Sequence, residues 1–531
     1  MEFNLAAVHE AIAAAIPDRE CIVAGDDRRS WAQVTDRTRR LAGYLHDRGL
    51  GRVTPRAQLP PWESGQDHVA LYLHNCPEYI EAMLGAFKAR AAPFNVNYRY
   101  VRDELAYLFA DARPVAVLYH AALGPTLEQA GPLPEVMICV DDGSGIAPLP
   151  GSVPYEQALE ATGVAPHDLD PDDCYLLYTG GTTGRPKGAL WRQADIFVAG
   201  MSGHRRGVEF DSMEAVVQRA RNSQFRLLPL PPLIHGASQW MVFTAFNLGG
   251  AVILPGGRFD PDETWAVAER ESVTSMTLVG DAFGRPLLTS LQAQPRPLPD
   301  LRTMTNGGAM LSPAVKTQLL DLLPHVTILD SVGSSEAGVA GLHGSTPGAV
   351  TTGVFPLSPT GAVLSADKER VLRKESDEEG WLATSGRIPL GYLGDPERTR
   401  ATFPVVEGVR YAVPGDRVRL RADDQVELLG RESVTINTGG EKVFAEEVEQ
   451  VLAACAGVAD VIVVGRPSER WGQEVVAVVA LTHAVTDADL RAACAAHLAG
   501  YKLPKAFVRV PHVQRSPSGK PDYGWARSVS R

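Results

Sequence analysis

The sequence is poor in cysteine and has no excess of positive charge. Its 531 residues include only six cysteines, which lie far apart and form no Cys-x-x-Cys pair. A disulfide framework and a zinc knuckle are therefore not indicated, and a reducing compartment fits best. The net charge of −12, from 51 basic and 63 acidic residues, argues against an electrostatic nucleic-acid binder or a basic membrane-surface protein.

Long apolar runs and a signal-like start are also missing. No apolar run approaches the roughly 18 residues of a membrane span. The N-terminal stretch contains Glu2, Glu10, Asp18 and Glu20 and has no basic start before an apolar segment, so a secretory signal is not indicated and a cytoplasmic location is expected. With 45% apolar and 21% charged residues, the chain has material for a large core, and its length predicts two or more domains, or one large domain with an appendage.

Helix-like and strand-like segments alternate along most of the chain. Ser30 is a candidate cap for a helix with Trp31, Val34, Leu41 and Leu45 on one face. Residues 68–74 form an apolar strand-like run, and Pro77 then opens another apolar helix. This alternation predicts a parallel α/β fold covered by helices. The Gly-, Pro-, Ser- or Thr-rich stretches 143–171, 292–300 and 341–360 are predicted to be loops.

The last hundred residues form a pattern of their own. Helices are predicted at 445–455 and from Asp487 to just before Gly500, and strands at 461–464, 475–481 and 506–510. This small α+β unit starts after Gly430-Arg431. We therefore expect a large domain over residues 1–431 and a small one over 432–531.

A glycine-rich segment is the strongest local signal. Residues 178–188 read Tyr-Thr-Gly-Gly-Thr-Thr-Gly-Arg-Pro-Lys-Gly and follow an apolar strand-like run. Glycine backbone N–H groups, three hydroxyls and one ammonium suit a triphosphate or pyrophosphate, although a flexible surface loop is the alternative. A Walker loop is excluded because Pro186 precedes Lys187 and Gly188 follows it, and the dinucleotide fingerprint does not fit these glycines either.

At this point the sequence resembles the adenylate-forming superfamily of acyl-CoA synthetases, peptide-synthetase adenylation domains and luciferases. Further strings similar to family motifs follow in the expected order, namely 306–309 (Asn-Gly-Gly-Ala), 332–336 (Val-Gly-Ser-Ser-Glu), 414–416 (Pro-Gly-Asp), 430–443 and 518–520 (Ser-Gly-Lys). Strings such as 232–237 and 519–523 look most like actinobacterial acyl-CoA synthetases acting on long-chain fatty acids and steroid side chains. The resemblance implies a large N-terminal domain of mixed and parallel sheets covered by helices, with a small mobile α+β C-terminal domain.

The resemblance implies an ATP-dependent ligase that converts a carboxylic acid to acyl-AMP and then to its CoA thioester. Glu336 and Thr179 would hold Mg²⁺ through the oxygen ligands that this cation prefers. Asp416 and Arg431 would contact the ribose. The full set of implied ATP- or AMP-binding residues is Thr179, Gly180, Gly181, Thr182, Thr183, Gly184, Lys187, Gly307, Gly308, Ala309, Asp330, Ser331, Val332, Gly333, Ser334, Ser335, Asp416 and Arg431.

The same resemblance places thioester formation at the C-terminal domain. Rotation about the hinge would withdraw Lys520 and bring in Gly439 and Gly440 beside the CoA channel. Ser433 stands at the hinge position, where the family often has Asp or Lys. Lys442 is a candidate contact for CoA phosphate, with a solvated surface lysine as the alternative.

Two residues depart from the family pattern at the adenine site. Val332 replaces the aromatic residue that commonly stacks on adenine, and Ser335 replaces threonine, so we expect ATP binding to be retained with weaker affinity.

His235 is a catalytic candidate at the acyl pocket in a positioning or gating role, although a buried core histidine is the ordinary alternative. Other implied pocket residues are Trp240, Gly280 and Asp281.

Three other classes stay open. A serine hydrolase is disfavoured because Ala337 breaks the G-x-S-x-G pattern around Ser335. A non-catalytic nucleotide-binding protein is disfavoured by the presence of both Glu336 and Lys520. An adenylating enzyme that delivers the acyl group to a carrier protein or an amine is the third. The preferred acid and the oligomeric state, with a homodimer as one option, stay undetermined.

Lys520 is the residue on which the adenylation step is expected to depend most. Its ammonium would offset the charge that develops between the incoming carboxylate and the α-phosphate. We expect Lys520→Ala to keep ATP binding and to lose acyl-AMP formation by orders of magnitude. Carboxylate-dependent pyrophosphate release is the measurement, and an unchanged rate would reject the assignment.

Overall fold

The structure is a computed structural model that describes residues 1–180, 186–205, 207–373, 378–421, 423, 425–431, 434–438, 441–468, 471–498, 500–516 and 519–531. The helices in these ranges are α1 (Leu5–Ala15), α2 (Trp31–Asp47), α3 (Pro77–Lys88), α4 (Arg102–Ala112), α5 (Gly124–Gln129), α6 (Tyr155–Ala158), α7 (Gln193–Gly200), α8 (Met213–Arg221), α9 (Gly236–Asn247), α10 (Pro261–Arg270), α11 (Gly280–Ala293), α12 (Pro313–Leu322), α13 (Pro396–Thr402), α14 (Ala445–Ala453), α15 (Asp487–Ala495) and α16 (Tyr523–Val529).

The strands follow the same chain order. They are β1 (Glu20–Ala24), β2 (Asp27–Ser30), β3 (His68–Tyr72), β4 (Ala92–Asn95), β5 (Ala116–His120), β6 (Val136–Val140), β7 (Val153–Pro154), β8 (Cys174–Gly180), β9 (Pro186–Arg192), β10 (His204–Arg205), β11 (Val208–Glu209), β12 (Arg226–Pro229), β13 (Ala251–Ile253), β14 (Ser275–Leu278), β15 (Thr303–Gly307), β16 (Thr327–Ser334), β17 (Gly338–Ser345), β18 (Val354–Pro356), β19 (Gly361–Leu364), β20 (Glu379–Ser385), β21 (Gly391–Tyr392), β22 (Val405–Val406), β23 (Val409–Ala412), β24 (Asp416–Leu420), β25 (Gln425–Arg431), β26 (Thr435–Thr438), β27 (Glu441–Phe444), β28 (Val458–Ser468), β29 (Gly472–Leu481) and β30 (Ala506–Arg509).

Two sheets of largely parallel strands form the N-terminal part of the fold. One has the order β17-β16-β15-β14-β12-β13-β1-β2, with antiparallel strands only at its two edges. The other has the all-parallel order β4-β3-β5-β6-β7. Parallel strands buried on both faces are apolar throughout, as β5 and β6 are here. The predicted α/β class is therefore confirmed.

Local signals in the sequence account for the first helices. The Ser30 side chain accepts a hydrogen bond from Gln33 N–H, and Gln33 reciprocates at Ser30 N–H, which makes a capping box at the start of α2. Trp31, Val34, Leu41 and Leu45 are all buried, as the periodicity predicts. Pro77 is the first residue of α3, where its missing N–H costs no hydrogen bond.

Three further sheets complete the framework of the site. β21-β9-β8 is a small antiparallel sheet that carries the glycine-rich segment. β18, β25, β24, β20, β23, β22 and β19 form an antiparallel sheet, and β25 ends there at Arg431. The next strand, β26, pairs with β27 and β29 in the C-terminal sheet, so the chain changes sheets between Arg431 and Thr435.

Most predicted C-terminal elements are confirmed, with one difference in length. β28 and β29 contain two of the predicted strands, β30 covers the third except for Val510, and α14 matches the helix predicted from residue 445. The helix that begins at Asp487 ends at Ala495, before the expected stop at Gly500, and residues 500–502 form a 3₁₀ turn.

The three predicted loops were wrong in part. Segment 143–171 contains β7 and α6, which form because β7 pairs with β6 and because Tyr155 and Ala158 are buried. Segment 292–300 begins inside α11, and segment 341–360 contains the end of β17 and all of β18. These strands are held by pairing with β6, β16 and β25, which a Gly- and Ser-rich composition does not reveal.

Gly43 allows α2 to approach the segment around Thr162 closely. A Cβ at Gly43 would lie 2.1 Å from the Thr162 carbonyl oxygen. Alanine is normally the better helix former by about 1 kcal/mol. At this position, however, we expect the clash to dominate.

Gly43→Ala should lower the free energy of unfolding by about 1–3 kcal/mol, the usual cost of overpacking. Denaturant unfolding measures it. Gly124→Ala is the matched control, because its Cβ would meet Tyr119 at an ordinary 3.4 Å. A Gly43→Ala protein as stable as the parent would contradict the close approach.

Candidate active site

The glycine-rich segment runs from the end of β8 to the start of β9, which pair antiparallel. In the β8–β9 register, Thr179 lies opposite Lys187 and Gly180 opposite Pro186. The predicted nucleotide contacts Gly181, Thr182, Thr183 and Gly184 lie outside the described residues. The apolar stretch of β8 is buried, and this anchors the hairpin in the core. Thr179 and Lys187 are thereby brought together at the base of the turn.

Asn95 ties this hairpin to the histidine segment. Its side-chain amide donates hydrogen bonds to the carbonyl oxygens of Tyr178 at 2.7 Å and Ile234 at 2.6 Å. The Tyr178 N–H returns a bond to Asn95 Oδ1 at 2.8 Å. Sequence reasoning missed this residue. A single asparagine at the end of an apolar strand was the only available signal.

Glu336 lies in the turn between β16 and β17, next to the base of the hairpin. The Tyr392 hydroxyl donates a hydrogen bond to Glu336 Oε1 at 2.7 Å, and the Trp191 indole N–H donates one to the Ser335 carbonyl at 2.9 Å. The ammonium of Lys187 lies 5.1 Å from the centroid of the Tyr392 ring. Glu336, Lys187 and Tyr392 therefore form one cluster, and its tyrosine was not singled out from the sequence.

The charges in this cluster affect one another. Burial lowers the pKa of Lys187, and Arg398 lowers it further, whereas Glu336 opposes the shift. Burial and the Glu336 charge raise the pKa of Tyr392 well above its usual range, so its phenol stays protonated and donates. The half-buried Glu336 carboxylate and the Thr179 hydroxyl are oxygen ligands of the kind that Mg²⁺ takes, so this donor set fits the ion.

The structure brings the predicted catalytic lysine to the predicted adenine segment. A Cβ added to Gly308 would lie 3.4 Å from Lys520 Cε, and one added to Gly519 would lie 2.8 Å from the Val279 carbonyl oxygen. Lys520 is held in a tight turn, since its N–H donates to Ser516 Oγ at 3.1 Å and its carbonyl accepts from Ser516 N–H at 2.7 Å. The C-terminal turn is therefore docked on the loops after β14 and β15.

His235 lies within electrostatic range of the Lys520 ammonium. Burial first, then the cations of Lys520 and Arg99, lower the pKa of His235 to about 3. The imidazole is therefore neutral near pH 7. Its Nε2 is buried and has no hydrogen-bond partner among the described residues. A neutral imidazole is consistent with positioning or gating rather than with proton donation.

The other predicted acyl-pocket residues are packed into the framework. Trp240 is buried and packs edge-on against Trp191, with 6.5 Å between ring centroids. Gly280 has a φ of +56° and packs against Ala309 and Met310. The Asp281 carboxylate accepts a hydrogen bond from Ser312 N–H at 2.7 Å and pairs with Arg285 at 2.8 Å. Both of its oxygens are therefore bonded to neighbouring protein groups.

Asn306, Asp330 and Lys316 form a buried polar network at the predicted adenine segment. Asn306 Nδ2 donates to Asp330 Oδ1 at 2.9 Å and to the Ala309 carbonyl at 3.1 Å, while its Oδ1 accepts from Gly280 N–H at 2.7 Å. The Lys316 ammonium pairs with Asp330 and also donates to Thr352 Oγ1 at 2.7 Å. Burial lowers the pKa of Lys316, and Asp330 opposes the shift. The predicted nucleotide residue Asp330 is thus held by two buried donors.

The remaining predicted nucleotide residues occupy β16, β24 and β25. Ser331 and Ser334 are half-buried and Gly333 is exposed, whereas Val332 is packed in a core cluster with Ala340 and Phe355. The suggested contact of Val332 with adenine stays a prediction. Asp416 is buried and lies opposite Arg431 in the β24–β25 register, so the two predicted ribose residues are cross-strand neighbours.

The predicted CoA and hinge residues are the least defined part of the site. Ser433, Gly439 and Gly440 lie outside the described residues. Lys442 lies on β27 opposite Asn437. Every helix in the described part of the chain is too short or too polar to cross a bilayer.

Together, the sheet architecture, the glycine-rich hairpin and the docked lysine turn define the class of adenylate-forming enzymes. Family models agree with this. Residues 9–388 match the AMP-binding enzyme family, and residues 447–520 match the AMP-binding enzyme C-terminal domain. The chain belongs to the AMP-binding enzyme family.

Three similar proteins cover this chain from end to end. The medium-chain acyl-CoA ligase Mig of Mycobacterium avium is 50% identical, with 99% of this chain and 98% of that protein covered. The 3-oxocholest-4-en-26-oate–CoA ligase of Rhodococcus rhodochrous is 38% identical, with 99% and 96% covered. The structure of a benzoate CoA ligase from Burkholderia xenovorans LB400 superimposes with a TM-score of 0.80 at 20% identity, with 99% and 100% covered.

These comparisons confirm three predictions. They are the adenylate-forming superfamily, the two-part α/β fold, and the enzyme class of AMP-forming acid–thiol ligases, which use ATP, Mg²⁺ and CoA. The roles of individual residues stay predictions.

The Lys316–Asp330 pair yields a test of the network beneath the adenine site. Lys316→Met would leave the Asp330 carboxylate buried without its cation, which should lower the free energy of unfolding by about 3–5 kcal/mol. The double variant Lys316→Met/Asp330→Asn removes both charges, and we expect it to recover much of that loss.

Denaturant unfolding of the two singles and the double measures the coupling. The control is Arg370→Met, which breaks the exposed pair of Arg370 with Glu378 and should cost no more than about 1 kcal/mol. Additive losses at Lys316 and Asp330 would contradict the network.

Proposed function

We propose that this enzyme adenylates a carboxylic acid that carries a medium or long apolar chain or a steroid side chain, and then transfers the acyl group to CoA. The observation that carries the proposal is the docking of Lys520 at Gly308, beside the neutral His235. That contact supports a role for the Lys520 ammonium between the proposed adenine segment and the proposed acyl pocket.

The proposed adenylation step is mainly charge neutralisation and positioning. A carboxylate oxygen attacks the α-phosphorus of ATP, and pyrophosphate leaves with the electrons of the broken P–O bond. Lys520 would stabilise the charge that builds between the two anions, and Lys187 would contact the departing phosphates. Mg²⁺, held by Glu336 and Thr179, would supply further charge neutralisation at the phosphates.

The proposed second step uses the acyl-AMP as the acyl donor. The CoA thiol sulfur attacks the carbonyl carbon, and AMP leaves as a much better leaving group than oxide. We propose the division into residues 1–431 and 432–531, with a hinge at Ser433 that exchanges Lys520 for the loop at Gly439 and Gly440. The change of sheet between Arg431 and Thr435 supports this boundary.

The choice of acid rests on the relatives and on the walls of the pocket. The two curated relatives are named for a medium-chain acid and a steroid side-chain acid. Trp240, Gly280 and the neutral His235 are the proposed walls of that pocket. The alternative acceptors, a carrier protein or an amine, would require the same first step.

A cytoplasmic location is part of the proposal, and the assembly is either a monomer or a homodimer. Light scattering of the purified protein distinguishes the two forms.

The proposal predicts a specific pattern of substrate use. Release of AMP should depend on both an acid and CoA, and it should be fastest with medium-chain, long-chain or steroid side-chain acids and slow with acetate and benzoate. An ATP–pyrophosphate exchange screen across these acids separates the first step from the second.

Replacing CoA with a holo-carrier protein or an amine tests the acceptor. Exchange that occurs with the predicted acids, without thioester formation on CoA, would support the alternative acceptors. Absence of acid-dependent exchange with every acid would overturn the proposed function.

A further inference from the structure

Tyr392 is held rigidly beside the glycine-rich hairpin. It lies on β21, which pairs with β9 so that Tyr392 faces Ala189 in the register, and Leu393 N–H donates to the Gly188 carbonyl at 2.8 Å. The Tyr392 N–H donates to Thr399 Oγ1 at 2.9 Å. The side chain is 2% exposed. Both the backbone and the ring therefore have little freedom.

The side chain contacts two groups of opposite charge at once. Its hydroxyl donates to Glu336 Oε1 at 2.7 Å, and its ring lies under the Lys187 ammonium, 5.1 Å from the ring centroid. The first contact is a hydrogen bond to an anion, and the second is a cation–π interaction. Each contact uses a different part of the phenol.

These contacts matter because Lys187 and Glu336 attract each other. In a half-buried site, a lysine and a glutamate gain energy by forming a direct ion pair, which would occupy both groups. Among the described residues, no such pair joins them, although the charge of Glu336 acts on Lys187. Tyr392 gives the ammonium an aromatic face and the carboxylate a neutral donor instead.

We infer that Tyr392 is a positioning residue that keeps Glu336 Oε2 directed at the metal and Lys187 directed at the phosphates. The inference rests on the proposed function of Glu336 and Lys187. Hydrogen bonds to ligating carboxylates orient them, and loss of such a partner typically costs about 10- to 100-fold in metal affinity or activity. The two contacts of Tyr392 can be removed one at a time.

Two variants separate the hydroxyl from the ring. Tyr392→Phe keeps the ring under Lys187 and loses the bond to Glu336, so the dissociation constant for Mn²⁺, used as a probe in the presence of a non-reacting ATP analogue, should rise about 10- to 100-fold. Binding of the analogue without metal should be unchanged. Tyr392→Leu loses both contacts and should weaken metal binding and metal-free analogue binding together.

Electron paramagnetic resonance of free Mn²⁺ and calorimetry of the analogue give these two constants without turnover. Tyr119→Phe is the matched control, because it removes another tyrosine hydroxyl, one bonded to Ser152 Oγ at 2.7 Å, away from this cluster. It should leave both constants unchanged. Thermal unfolding of each variant reports any loss of fold.

Glu336→Gln in the same assay distinguishes failure of the inference from failure of the proposed function. If Glu336→Gln loses Mn²⁺ affinity while Tyr392→Phe keeps it, the role of Tyr392 is overturned and that of Glu336 stands. If Glu336→Gln also binds Mn²⁺ as the parent does, the proposed function of Glu336 fails. A Tyr392→Phe protein that loses thermal stability alone, with unchanged constants, likewise overturns the inference.

Discussion

The docking of the turn that carries Lys520 on the loops after β14 and β15 is the contact on which the candidate active site depends. Gly308 and Gly519 both have a positive φ, of +79° and +77°, a backbone conformation that favours glycine. A Cβ at Gly519 would also lie 2.8 Å from the Val279 carbonyl oxygen, whereas one at Gly308 would meet Lys520 Cε at an ordinary 3.4 Å. The ammonium then lies within electrostatic reach of His235, from a segment at the other end of the fold. Local backbone freedom thereby determines whether a C-terminal cation can take part in chemistry at the N-terminal domain.

Near this contact, the free-energy cost of burying polar groups is offset in different ways. Asp330 is neutralised by Lys316 and hydrogen-bonded by Asn306, Glu336 is bonded by a neutral phenol, and His235 carries no charge. A buried charge without such a partner is costly, whereas a paired one can stay ionised. The difference between Asp330 and Glu336 is informative. Both carboxylate oxygens of Asp330 are bonded, whereas among the described residues only Oε1 of Glu336 accepts a hydrogen bond.

Much of the fold follows from local patterns, whereas the assembly of the site does not. Short stretches of sequence are enough to predict the capping box at Ser30, the proline at the start of α3 and the apolar strands β5 and β6. The same is true of the glycine-rich segment. β7, β17 and β18 escaped prediction because their strand character comes from pairing with β6, β16 and β25 and not from their own composition. Asn95, Lys316 and Tyr392 escaped for the same reason. Each is an ordinary residue in its own window and acquires a role only through contacts with distant segments.

The late position of β21 in the chain affects how the β21-β9-β8 sheet folds. The glycine-rich turn emerges early in synthesis, but β21 and Tyr392, which complete its surroundings, come from a much later part of the chain. High contact order slows folding, because distant segments must meet before their interactions contribute. The β8–β9 pair is therefore not a self-sufficient module that could be cut out or grafted. Until β21 has been synthesised, the nascent chain contains the glycine-rich motif without the third strand of its sheet.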